Sequence, residues 1–268
     1  MPSPKSEGAG TEISRAPAVG GPRLVYEYAV YYLGWALFGG VALLWGLPAL
    51  ILSLVLPRKR ATTLGQVMIR TGFRFFVAAM ERTGILRCDL GALDCLGSEQ
   101  RLVIAANHPT LLDAVLAISR LPRVVCIVKA PIWDNPFLGG GARLAGYLRN
   151  DDGLQLTKRA VRAVAEGVPL LIFPEGTRTG EPPLAPFKGG FALIAAQARA
   201  PIQTVFIECS APFLGKDWHW MRKPVFPVIY RARLGRRFEV PEDRRNFVAE
   251  LEAYYRGQLA PPASPPSA

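Results

Sequence analysis

The chain has 268 residues, half of them apolar and a fifth charged, which is enough for one large domain or two small ones around a sizeable core. A formal net charge of +11 points to an anionic partner, whether nucleic acid, anionic lipid headgroups or an acidic carrier protein. Cys88, Cys95, Cys126 and Cys209 form no CxxC pair and have no histidine at ligand spacing, so neither a disulfide framework nor a metal site is signalled.

Residues 1–22 and 261–268 are rich in Pro, Gly, Ser and Ala without periodicity and read as disordered tails. Between them, Tyr28 to Leu56 carries no charged side chain, and the stretch 23–60 reads as a membrane segment. A straight helix over the uncharged run reaches roughly 44 Å against a hydrocarbon core of about 30 Å, whereas two halves of about 14 residues each fall short of a span. A single helix and a re-entrant helix pair both remain open, with Gly39-Gly40 and Gly46-Leu47-Pro48 as break points. Arg58-Lys59-Arg60 follows at once, and this bias of basic residues puts the domain behind it in the cytoplasm, at the bacterial inner membrane. From Thr62 to Thr83, Leu64, Val67, Phe73 and Phe76 interleave with Arg70, Arg74 and Arg82, which suits an amphipathic helix at the headgroup level.

Beyond it, residues 61–260 read as a single domain in which short apolar runs alternate with helical text. Strands are expected near 101–106, 123–128, 168–173 and 202–208, and helices near 110–120, 136–145, 154–167 and 189–199. That alternation predicts an α/β domain with a largely parallel central sheet flanked by helices. Sites in such sheets gather at the carboxyl ends of strands.

Two loops sit at such ends. The first, Asn107-His108-Pro109-Thr110-Leu111-Leu112-Asp113, places one of two histidines five residues before a carboxylate. An aspartate accepting from one ring nitrogen fixes the tautomer and stabilises the imidazolium, which makes His108 a candidate base. A helix starting at Thr110 with Asp113 in its first turn explains the same residues without chemistry. The second, Pro174-Glu175-Gly176-Thr177-Arg178, offers a guanidinium fork and a glycine that admits backbone to a ligand, and Lys188 adds a cation before a helix. Read alone it is an anion site, or a Pro-Gly turn whose Glu175 and Arg178 pair with each other.

Together, NHPTLLD and, downstream, FPEGTR resemble the glycerolipid acyltransferases of the lysophosphatidate acyltransferase type, over roughly residues 60–210. The resemblance implies a single acyltransferase domain in which His108 and Asp113 form the catalytic pair, supported by Asn107, Pro109 and Thr110. It implies that Glu175, Gly176, Thr177 and Arg178, with Lys188 and Arg149, hold the acceptor's polar head. It further implies acyl-CoA or acyl carrier protein as co-substrate, no bound cofactor or metal, and a lysophospholipid acceptor that lysophosphatidate fits. One departure bears on the acceptor: the family's second block ends in an arginine where Gly146-Tyr147-Leu148-Arg149-Asn150-Asp151-Asp152 has Asp152. Either Arg149, Arg143 or Lys158 replaces that cation, or the acceptor is another lipid hydroxyl or amine.

No Gly-x-Ser-x-Gly elbow is present and no cysteine adjoins a histidine in sequence, so direct attack by the acceptor is favoured over an acyl-enzyme. A noncatalytic lipid-binding protein and a thioester hydrolase are the rival classes. His219, between Trp218 and Trp220, reads as part of an interfacial loop. From Lys216 to Arg245 nine basic residues face four acids, a surface suited to membrane lipid or an acidic acyl carrier protein. No nucleic-acid module accompanies the charge.

Overall fold

The computed structural model describes residues 21–180, 183–211, 213–219 and 221–260; both predicted tails fall wholly or mostly outside that range. The apolar run forms one unbroken helix, α1 (Gly21–Val55), which begins inside the stretch read as tail. It passes straight through Gly39-Gly40 and Gly46-Leu47-Pro48, so the predicted break points do not break it. At 35 residues and 1.5 Å per residue it is about 52 Å long, long enough and apolar enough to cross a membrane.

Gly46 serves a contact instead of a bend. A Cβ built on it would lie 2.1 Å from the Phe137 carbonyl oxygen, and one on Gly140 would lie 2.1 Å from the Gly46 carbonyl. Nearer its start, α1 is fastened to the loop before the last strand by the Glu27–Lys223 ion pair at 2.6 Å and by Tyr31, whose ring meets those of Phe213 and Phe226. Alanine is a better helix former than glycine by 0.5–1 kcal/mol. Gly46→Ala is nevertheless expected to destabilise the protein by about 2 kcal/mol through overpacking, read as a lower urea midpoint; a neutral or stabilising result would show that α1 is free of the domain.

Helix α2 (Arg58–Arg82) turns back directly after Pro57 and carries the amphipathic pattern. Gly84, at φ +75°, ends it in a Schellman arrangement, with Ile85 N donating to Met80 O and Gly84 N to Glu81 O. Then follow β1 (Leu86–Asp89), a 3-10 turn over Gly91–Ser98, β2 (Val103–Ala106), α3 (Asp113–Arg120), β3 (Val125–Val128), α4 (Ala130–Trp133), α5 (Gly139–Leu144) and β4 (Leu148–Arg149). The chain closes with α6 (Leu154–Ala165), β5 (Leu170–Ile172), α7 (Gly190–Ala198), β6 (Ile202–Cys209), β7 (Val228–Phe238) and α8 (Arg244–Leu259).

The strands form one sheet in the order β1-β7-β6-β2-β5-β3-β4, parallel throughout except for the β6–β7 pair. The four expected strands are its centre, and every residue of β2 is buried, as a strand covered on both faces requires. Along β2, Ile104 and Ala106 join the core under α1, α2 and α3, while Val103 and Ala105 join the core under α6, α7 and α8. Three strands and two helices were not anticipated: β1, β4, β7, the short α4 and α8. In β7, Val228, Tyr230 and Ala232 point inward between Arg231 and Arg233, an alternation that in the sequence merges with the basic surface. From α8, the buried Tyr255 hydroxyl donates to Ala105 O at 2.6 Å and accepts from Val205 N at 3.2 Å, bridging β2 and β6 from outside the sheet.

Candidate active site

Because β2 and β5 are parallel neighbours, with Ala105 opposite Ile172, their two carboxyl-end loops emerge side by side. Asn107 anchors the first loop: its amide donates to Ile207 O at 2.9 Å and accepts from Ile207 N at 2.7 Å, copying a strand's pairing with β6. His108 then leaves the sheet edge with its ring stacked on Phe173, centroids 4.0 Å apart. Its Nδ1 lies 2.9 Å from Asp113 Oδ2. A carboxylate can only accept, so Nδ1 carries the proton and Nε2 is left with its lone pair.

Asp113 opens α3, so the plain helix-start reading and the pairing with His108 describe one residue in two roles. Thr110 donates to it twice, from its amide to Oδ2 at 2.7 Å and from its hydroxyl to Oδ1 at 2.6 Å. The Asp113 side chain is wholly buried and His108 is 15% exposed, so one partner touches solvent or substrate and the other does not. Burial pushes the Asp113 carboxyl above the usual carboxylate range, and the bonds from His108 and Thr110 oppose that push. Pro109 lies between these residues, half-buried, and Leu111 N fastens the loop to Leu214 O at 3.0 Å.

Glu175, grouped by the sequence resemblance with the acceptor's head, is placed differently. It is 1% exposed, and its carboxylate accepts from His108 N at 2.8 Å, Thr179 Oγ1 at 2.7 Å and Ala185 N at 2.9 Å. With Thr179 N donating to His108 O at 2.8 Å, it ties the two loops into one body. Nor does it pair with Arg178, whose Nη1 donates to Leu214 O and Gly215 O at 2.9 Å. Gly176, at φ +67°, lies beneath the Lys188 side chain, where a Cβ would meet Lys188 Cδ at 3.0 Å. Thr177 is half-buried beside it. Among the described residues, neither Lys188 nor Arg178 is ion-paired.

Arg149 is engaged with carboxylates. It sits at the same sheet edge on β4, but its guanidinium is bonded to both Asp134 and Asp151, and Asp152 pairs with Arg159 at 3.2 Å. Two carboxylates balance the cation and take three of its five N–H donors, so it is less free than Lys188 to meet a phosphate. Of the two other cations weighed for that place, Arg143 stacks over Trp133 at 5.5 Å. Much of the basic C-terminal stretch is likewise engaged, Arg233 with Glu208 and Arg237 with Glu99, while Arg231, Arg244 and Arg245 stay exposed.

A narrow apolar groove, partly open to solvent, runs beside the histidine loop. Trp35 and Phe38 of α1, Phe76 and Met80 of α2, and Leu111 and Leu214 line it. No group of side chains able to hold a metal ion occurs among the described residues. Burial pushes the Cys88 and Cys126 thiols up to about 12 and raises Cys209 as well, so these three are poor nucleophiles at neutral pH.

Among the described residues, a histidine with no bond at Nε2, two cations outside any ion pair and an apolar groove beside the histidine loop thus lie at the carboxyl end of a mostly parallel sheet. Residues 87–208, which hold both loops, match the family model described as Acyltransferase, and they lie in an α/β domain that follows an apolar N-terminal helix. The solved 1-acyl-sn-glycerophosphate acyltransferase PlsC from Thermotoga maritima shares the fold, with a TM-score of 0.66, 17% identity, and coverage of 91% of this chain and 99% of that one. A 1-acyl-sn-glycerol-3-phosphate acyltransferase of Limnanthes alba is 36% identical over 121 residues, 41% of this chain and 43% of its own length. The lyso-ornithine lipid O-acyltransferase of Pseudomonas aeruginosa is 31% identical over 130 residues, 44% of this chain and 50% of its own length. The chain spans half or less of the length of these two curated relatives.

Proposed function

We propose that this protein moves a fatty acyl group from an acyl thioester, of coenzyme A or acyl carrier protein, to a lysophospholipid hydroxyl, with lysophosphatidate as the acceptor. The carrying observation is the imidazole fixed through Nδ1 on a buried carboxylate, with Nε2 left to take a proton, in the loop whose Leu111 and Leu112 line an apolar groove. The acceptor hydroxyl gives its proton to Nε2 while its oxygen attacks the thioester carbonyl carbon. Collapse of the tetrahedral adduct breaks the C–S bond, and the imidazolium returns the proton to the leaving thiolate. Asp113 stabilises the imidazolium in between. Lys188 and the unused N–H groups of Arg178 suit the acceptor's phosphate, and the groove suits an acyl chain.

A second acceptor class has its own support. The carboxylates around Arg149 and the family likeness to a lyso-ornithine lipid acyltransferase both favour a head bearing an amine. Purified full-length protein in detergent, given an acyl-CoA and in turn lysophosphatidate, a lyso-aminolipid and no acceptor, separates the readings. Faster thiol release with lysophosphatidate supports the proposal, and faster release with the aminolipid moves it to the second class. Free fatty acid alone would make the protein a hydrolase, and unconsumed thioester would make it a binding protein.

Membrane attachment follows from α1. Leu43, Leu47, Ile51 and Leu54 are exposed at helical spacing, yet both halves of the helix are fastened to the α/β domain. We propose that α1 lies along the membrane surface with the domain, a re-entrant or flat seat instead of a free-standing span. In inside-out vesicles, protease is expected to remove a tag at the N-terminus and one at the C-terminus alike; protection of the N-terminal tag would establish a crossing.

A further inference from the structure

Asp113 would be a poor anchor if its own oxygens were free to turn. Oδ2 is held twice, by the His108 ring and the Thr110 amide, but Oδ1 depends on a single rotatable hydroxyl, that of Thr110. A threonine hydroxyl in a sealed site can aim its proton at any acceptor in reach. Here its other side is occupied. Tyr230 of β7, completely buried, donates from its hydroxyl to Thr110 Oγ1 at 3.1 Å. With a donor on one side, the Thr110 proton has one acceptor left, Asp113 Oδ1.

We propose that Tyr230 is a positioning residue for the His108–Asp113 pair: through Thr110 it holds a proton on Asp113 Oδ1 and so keeps the carboxylate a fixed, ionised acceptor for the imidazole. The inference rests on the acyl-transfer reading for its kinetic effect, though not for its geometry. Tyr230 lies outside the segment 87–208 that matches the family model, on a strand that pairs with both β1 and β6. Packing alone asks nothing of its hydroxyl: a phenylalanine fills the same space, and a buried hydroxyl without a partner costs stability. The ionisable groups facing Asp113 are few, namely His108 from its own loop, Cys209 from β6 and Tyr230 itself. Burial raises both the Cys209 thiol and the Tyr230 phenol, so both stay neutral, and the Tyr230 hydroxyl, which also meets Cys209, keeps its bond to Thr110 Oγ1.

Tyr230→Phe removes the hydroxyl and little else. Its kcat is expected to fall about fivefold, the worth of one neutral hydrogen bond, with KM for both substrates nearly unchanged. The acid limb of the kcat profile is expected to move to higher pH by a few tenths of a unit, since a carboxylate with a weaker donor binds a proton more tightly and stabilises the imidazolium more. In a Thr110→Val background the same change is expected to cost nothing further, because the path runs through that hydroxyl. An equal loss in both backgrounds, or an unmoved acid limb, would reduce Tyr230 to packing.

A readout free of activity separates this from the function itself. The chain has two histidines, so the low-field Nδ1–H proton of His108 can be assigned in histidine-labelled protein with a His219→Gln control. That resonance is expected to shift in Tyr230→Phe, and at least as far in Thr110→Val should the first variant fold poorly; an unchanged resonance in both overturns the proposal. If the parent protein consumes no thioester, the functional reading fails while the resonance still tests the relay.

Discussion

Replacing His108 with alanine is expected to lower acyl transfer by about a thousandfold while leaving the fold intact, because general-base catalysis contributes a factor of 10²–10⁴. The side chain is near the surface of the loop, its Phe173 stack is a modest contact, and the loop is held by backbone bonds that the substitution keeps. Asp113→Asn is expected to match that loss by a different route. Its amide preserves shape but removes the anion that fixes the tautomer and stabilises the imidazolium. The same substitution discharges a carboxyl that burial disfavours, so at neutral pH its Tm is expected to equal or exceed that of the parent. The sign follows from the raised Asp113: a carboxyl whose proton is held more tightly in the folded protein lends stability at low pH, and that stability is lost as pH rises. Stopped assays of thiol release beside thermal melts read both effects. Near-parental transfer in either variant would remove His108 from the chemistry.

The second large effect belongs to Glu175. Glu175→Ala leaves two backbone amides and a hydroxyl without their acceptor in a site that is 1% exposed, at about 1 kcal/mol or more for each. A loss of about 3 kcal/mol of stability is therefore expected, together with a fall in kcat, since the His108 backbone is no longer tied to the neighbouring loop. Urea melts and steady-state kinetics with both substrates measure it. If stability held and only the acceptor KM rose, Glu175 would return to the acceptor's head.

The sheet's centre was legible because β2, β3 and β5 are short, fully apolar runs and β6 is apolar over most of its length, and burial on both faces leaves such runs little alternation to hide in. The pairing of His108 with Asp113 was legible for a similar reason: five residues of chain hold both ends. What escaped the sequence depends on distant partners. Glu175 looks like a ligand residue until His108 N, 67 residues away, appears against it. Arg149 looks like a free cation until Asp134 folds back onto it. Gly46 looks like a hinge because a sequence cannot show the Phe137 carbonyl that needs its missing side chain. Strand β7 was lost among its own arginines, since a strand buried on one face and exposed on the other alternates apolar and charged residues and reads as a charged surface.

Tyr255 also bears on where this domain can be cut. Its hydroxyl fills a gap between β2 and β6, two residues before Asn107, from a helix that begins 36 residues after the family-matched segment ends. A fragment trimmed to that segment would lose β7 as well, exposing the whole hydrogen-bonding rim of β6, eight residues long and buried over its first six. Such a rim is a template for pairing with another copy, so the trimmed fragment is a candidate for aggregation, and the smallest soluble unit runs on through α8.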